Sequence, residues 1–134
     1  MTEADVDLIR TGFDTFAEDG LEAILRLMDP EIELLTPANP DMQRGTGHEG
    51  VRRSLNGLLE MFEYWNVEAL EFEDLGQHVV VSVCQYARGR GSGVTVESKS
   101  AWLFTMRDGK AVRLALHSDK AEAVASAENQ SRRQ

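Results

Sequence analysis

The sequence predicts an α+β fold in which helices come first and a sheet of long antiparallel strands follows. Three observations predict it. Apolar residues recur at three- and four-residue spacing through the first half of the chain, as they do along one face of a helix. The second half carries Val-rich runs broken by glycine-containing turns, which is the signature of strands joined by hairpins. A chain of 134 residues has room for one core, so a single domain is expected over 1–134, with its core over about 6–125.

The elements follow in order. Val6, Ile9, Phe13 and Phe16 mark a first helix that ends at Asp19-Gly20, where glycine can take the left-handed conformation. Leu21, Ile24, Leu25 and Met28 mark a second, closed by Pro30, which cannot continue the hydrogen-bond ladder. Residues 31–36 read as a short strand and the Pro-, Gly- and Asn-rich stretch 37–47 as a loop. Thr46 and Glu49 have capping-box spacing ahead of a third helix carrying Val51, Leu55, Leu58, Leu59 and Phe62, which ends near Trp65-Asn66. Four strands then run over 67–75, 77–88, 94–106 and 111–118. Asp108-Gly109 joins the last two, because both residues accept positive φ. The Ala-rich tail from Lys120 is a short, fraying helix.

Composition narrows the function. The formal net charge is −9, with no Lys/Arg patch to meet a phosphate backbone, so nucleic-acid binding is disfavoured. The single cysteine, Cys84, lies in the apolar run 79–84 and reads as a small core residue; it fits a reducing cytoplasm. The acidic start Met1-Thr2-Glu3-Ala4-Asp5 is unlike a signal peptide, and no apolar run approaches the ~18 residues of a membrane span. Cytoplasmic localisation is the expectation. His48 and His78 read as surface residues, and with no His or Cys cluster neither a metal nor another cofactor is expected. Gly89-Arg-Gly-Ser-Gly93 joins two strands and does not open a helix, so it is a hairpin turn and not a phosphate loop.

Several local phrases, in their order, carry a family resemblance: Asp19-Gly-Leu21, Met28-Asp-Pro30, Gly47-His-Glu-Gly-Val-Arg52, Gly91-Ser-Gly-Val94 and Met106-Arg-Asp-Gly-Lys110 leading to Asp119-Lys-Ala-Glu-Ala123. In these the chain resembles the SnoaL-like branch of the nuclear transport factor 2-like superfamily, which holds ketosteroid isomerases, polyketide cyclases and limonene epoxide hydrolase. The resemblance implies a cone: a curved, mixed sheet wrapped around the three N-terminal helices, enclosing an apolar pocket. It also supplies candidate residues. The tyrosine and aspartate of the isomerases align with Gly12 and Thr36, neither of which can replace them. The acid/base carboxylate of the SnoaL-type cyclases aligns with Asp119 at the end of the last strand. The Asp-Arg-Asp arrangement of limonene epoxide hydrolase is echoed loosely by Glu97, Lys99 and Asp119.

Strand alternation places Arg113, Ala115, His117 and Asp119 on one face of the last strand and Val112, Leu114 and Leu116 on the other. The catalytic candidates are therefore Asp119, with His117 or Glu97 as helper. Lys99, Arg113, Trp102, Phe104, Tyr64, Phe16 and Phe62 are the candidate substrate contacts. Each has a plainer reading: Asp119 as the N-cap of the last helix, His117 as a structural or interface residue, Glu97 and Lys99 as a surface ion pair, and the aromatics as core. Three functions stay open, namely an acid/base enzyme on an apolar carbonyl or epoxide, a binding protein for an apolar small molecule, and an interaction domain. A homodimer is expected for each, because Val79, Val81 and Val83 on one face of a strand and Val80 and Cys84 on the other both need covering.

Overall fold

In a computed structural model, which describes residues 2–37 and 44–132, the helices precede the strands and one six-stranded sheet organises the chain. Helix α1 (Thr2–Asp19) ends as the sequence predicts, at Gly20, whose φ is 79° and whose N–H donates to Phe16 O at 2.9 Å. Helix α2 (Leu21–Leu25) is shorter than its apolar spacing suggests, because Met28 and Pro30 belong to strand β1 (Met28–Leu35). The cause lies far along the chain. The Ala111 N–H donates to Leu27 O at 2.9 Å, and Met28 pairs with Ala111 of strand β6 (Lys110–His117). This long-range pairing overrides the weak local preference for helix. Pro30 is tolerated in β1 because the β1–β6 register shifts between Met28 and Glu33, so no ladder bond is asked of it.

The short strand β2 (Gly45–Thr46) pairs with β1, and most of the loop expected over 37–47 lies outside the described residues. Helix α3 (Gly47–Glu60) closes sooner than expected, and Phe62 and Trp65 fall in strand β3 (Phe62–Leu75). No Gly or Pro separates helix from strand here, so nothing in the local sequence announces the change. Strands β4 (His78–Gly89) and β5 (Thr95–Arg107) complete the meander, and the turn into β6 has positive φ at Asp108 (52°) and Gly109 (76°), as Asp-Gly predicts. The order is β2-β1-β6-β5-β4-β3, antiparallel except for the parallel pair β1–β6. Register shifts in β3–β4 and β5–β6 mark bulges, which bend the sheet into an open curve.

The two faces of the sheet are covered differently. Val79, Val81, Val83, Trp102 and Phe104 face α1 to α3 in the larger core. Val80, Ala101, Leu103 and Ala115 face the other way and pack under helix α4 (Lys120–Arg132) through Ala123 and Ala127. Helix α4 thus covers Val80, one of the residues for which the sequence sought a second chain. His78 belongs to this second face. It is 1% exposed, not a surface residue, and its Nδ1 lies 2.9 Å from Thr105 Oγ1. His48 is half-buried, with Nε2 2.8 Å from Met28 O. Among the described residues no helix is long and apolar enough to cross a membrane.

Candidate functional site

Between the concave face of the sheet and α1 to α3 lies a cavity of about 450 Å³. Its existence follows from how α1 meets the sheet. Phe13 stacks on Trp102 at a centroid distance of 5.8 Å and meets Phe104 edge-on at 6.3 Å, so α1 is propped away from the sheet by rings. Phe16 meets Trp65 edge-on at 5.6 Å beside it. The bent sheet and the propped helix enclose a space that no side chain among the described residues fills. Gly12 of α1 also borders it, with Leu27 against the position a Cβ would take. Where the isomerases carry a tyrosine, this wall offers no hydroxyl.

The cavity has a polarity gradient. Its closed end is apolar, with Met28, Met106, Ala111 and Leu114 all buried. The other end reaches the exposed start of β5 at Val96 and Ser98, next to Leu59 and Phe62. A polar band crosses three strands near that end. Trp65 Nε1 of β3 donates to Gln85 Oε1 of β4 at 3.3 Å, and Gln85 Nε2 donates to Ser100 Oγ of β5 at 2.9 Å. Ser98, paired with Gln85, continues the band. No Asp or Glu is among the described residues that line the cavity. Volume, apolar walls and a few convergent polar groups are the features of a small-molecule site.

The residues singled out from the sequence divide between the faces. Phe16, Phe62, Trp102 and Phe104 line the cavity. Tyr64 does not line it and is 53% exposed. Arg113 sits on the opposite face, where its Nε donates to Glu33 Oε1 at 3.0 Å. Glu97 is exposed and accepts a hydrogen bond from Cys84 Sγ at 3.6 Å, also away from the cavity. Lys99 borders the cavity, but it lies between the inward residues Ser98 and Ser100 and pairs with Cys84, so alternation starts its side chain from the other face. Asp119 is exposed, and its Oδ1 accepts the Glu122 N–H at 2.9 Å, the N-cap geometry of α4.

His117 is placed between the two faces in sequence but not in orientation. It borders the cavity, pairs with Ala101 under α4, and brings Nδ1 to 3.1 Å from Glu122 Oε1. Its Nε2 is buried without a hydrogen-bond partner. The structure therefore brings His117, Glu122 and Asp119 together at the start of α4, and leaves Glu97 apart from them. Across the second face, burial, helped by Arg113, pushes His78 below its ordinary value. Among the described residues no group of three or more His, Cys, Asp or Glu could hold a metal ion.

Gln85, Ser98 and Ser100 were not among the sequence candidates. A signal for Gln85 was present: it shares strand parity with Val79, Val81 and Val83, so an amide interrupts an otherwise apolar face. The serines gave none, since which face of β5 turns inward depends on the sheet's curvature.

The comparisons with known proteins agree with this geometry. No curated protein matches the sequence. Among solved structures, the chain is similar to TerC co-crystallised with polyporic acid, at 26% identity and a TM-score of 0.77, over 93% of this chain and 96% of that one. It is similar to a candidate SnoaL-like polyketide cyclase from Jannaschia sp. CCS1, at 24% identity and a TM-score of 0.75, over 94% and 92% of the two chains. It is also similar in fold to AclR, a candidate hydroxylase from Streptomyces galilaeus, at 14% identity and a TM-score of 0.71, over 88% and 81%. Residues 9–114 match the SnoaL-like domain model, and the chain belongs to the SnoaL-like domain family.

Proposed function

We propose that this protein encloses one apolar, largely aromatic small molecule in the cavity and orients it by the uncharged polar band near the opening. The observation that carries this reading is the absence of carboxylates from the described lining, in a chain of net charge −9. An acidic protein that keeps Asp and Glu off one concave surface has reserved that surface for apolar contact. TerC, similar in fold and in most of its length, was crystallised with an organic ligand, which supports a ligand-holding role.

Both tryptophans of the chain, Trp65 and Trp102, line the cavity, so intrinsic fluorescence reports directly on its occupancy. Titration with the neutral probe N-phenyl-1-naphthylamine should quench that fluorescence at one saturable site per chain. Non-saturable quenching, or a probe that stays dark across the titration, would remove the reading.

Acid–base turnover of the enclosed molecule is the second reading, and His117 is the observation that favours it. A histidine whose Nδ1 is held by Glu122 and whose Nε2 is unpartnered has the tautomer control a general base needs. In that reading Asp119, and more remotely Glu97, assist from the same end of the sheet. Conversion of aromatic carbonyl compounds that survives His117→Ala and Asp119→Asn would exclude it. The expected homodimer is proposed on the exposed Tyr64 and Leu70 of the edge strand β3, and a monomer mass by sedimentation at micromolar concentration would rule it out.

A further inference from the structure

The polar band has a direction, and the direction selects a ligand. An indole nitrogen can only donate, so Trp65 Nε1 requires the Gln85 oxygen as its acceptor. That choice fixes the amide: the oxygen faces Trp65 and the NH₂ group faces Ser100. Ser100 Oγ therefore accepts from Gln85, which leaves its own hydroxyl hydrogen to be given elsewhere. Among the described residues Ser100 has no second partner, and it lines the cavity. A donor-only side chain on β3 has thus set the hydrogen-bond sense of a hydroxyl on β5.

We infer that Ser100 is a hydrogen-bond donor that recognises a carbonyl oxygen on a neutral, largely aromatic ligand, with Trp65 and Gln85 fixing its sense. Neutrality follows from the same wall. No Asp or Glu lines the described cavity, Lys99 starts from the other face by alternation, and His117 Nδ1 is engaged by Glu122, so an ionised ligand would find no ready counter-charge inside. Gln85 is polarised by Trp65, which strengthens its bond to Ser100 and with it the donor strength of the serine hydroxyl. The inference rests on the ligand-enclosing reading proposed above and narrows its ligand class.

The test uses 9-fluorenone and fluorene, which share a shape and differ in the carbonyl, with dissociation constants measured by equilibrium dialysis against the full chain. Fluorenone should bind about tenfold more tightly than fluorene, the size of one neutral hydrogen bond. Ser100→Ala should erase that ratio while leaving fluorene binding unchanged, and Ser100→Thr should restore it. Ser82→Ala, on the face away from the cavity, should keep it. Trp65→Phe should shrink it, because the amide is then free to turn over. The carbonyl stretch of bound fluorenone gives a second readout: it should lie below its value in hydrocarbon and return there in Ser100→Ala. Equal binding of the two compounds, or a ratio that survives Ser100→Ala, would overturn the inference while leaving ligand enclosure intact. Failure of both compounds to bind would overturn the enclosing reading and the inference with it.

Discussion

The two faces of the sheet solve opposite problems. The face under α4 is filled: small residues at Ala101, Ala115, Ala123 and Ala127 let helix and sheet approach closely around Leu103, which is fully buried. The concave face is held open by rings, so its side chains are buried from bulk solvent yet border a space of about 450 Å³. Charge follows the same division. Glu33 and Arg113, His117 and Glu122, and Lys120 with Glu71 all meet on or beside the filled face. The Lys120 ammonium is held charged by its bond to Glu71, which raises its value. What the contrast teaches is that a sheet can separate stability from function by face: packing on one side leaves the other free to stay empty.

The largest expected effect tests the filled face. Leu103→Ala should cost about 3 kcal/mol, since a rigid, close-packed layer cannot collapse into the hole. A loss below about 1 kcal/mol by urea denaturation would mean that this face is as loosely packed as the other.

The next concerns His78, whose folded value is depressed by burial and by Arg113 below its ordinary 6.5. At pH just below 6.5 the unfolded chain binds a proton there that the folded chain refuses. Stability should therefore be intact above 6.5, fall as pH drops, and be fully lost from this source below the folded value. The slope is at most about 1.4 kcal/mol per pH unit. Melting curves between pH 8 and 5 should show this slope in the natural chain and a flatter one in His78→Gln. Equal slopes would show that His78 is not the group responsible.

A smaller loss, about 1 kcal/mol, is expected for Asp119→Ala, which removes the N-cap of α4. Unchanged probe binding in this variant would confirm that capping is its part in the wild type, whereas binding lost without stability would place Asp119 in the ligand site.

The smallest stability effect should come from Val96→Trp. Val96 borders the cavity and is 50% exposed, so the change should shift stability by under about 0.5 kcal/mol while blocking entry of N-phenyl-1-naphthylamine. Undiminished binding would relocate the opening.

Legibility in the sequence tracked the range of the interaction. The end of α1 at Gly20 and the Asp108-Gly109 turn were readable because each depends on φ preferences of one or two residues. Cys84 was readable as a core residue from its apolar neighbours, and it is 2% exposed. The start of β1 at Met28 was not, because it depends on Ala111, and the change from α3 to β3 carried no Gly or Pro to mark it. His78 looked exposed beside a turn, yet it is buried and meets Thr105 of β5, 27 residues along the chain.

The candidate site shows the same limit. Its aromatic wall, Phe16, Phe62, Trp102 and Phe104, was visible as apolar spacing, and residues sharing a strand face were sorted by parity alone. Parity says which residues share a face and is silent on which face looks inward. That was decided by the bulges that curve the sheet and by where α1 and α4 dock, which are interactions between segments tens of residues apart. Local patterning specified most of the elements, the alternation and the acidic, single-cysteine character of the chain. The folded sheet alone turned Arg113 and Asp119 away from the cavity and Gln85, Ser98 and Ser100 towards it, because curvature is a property of paired strands and not of any one of them.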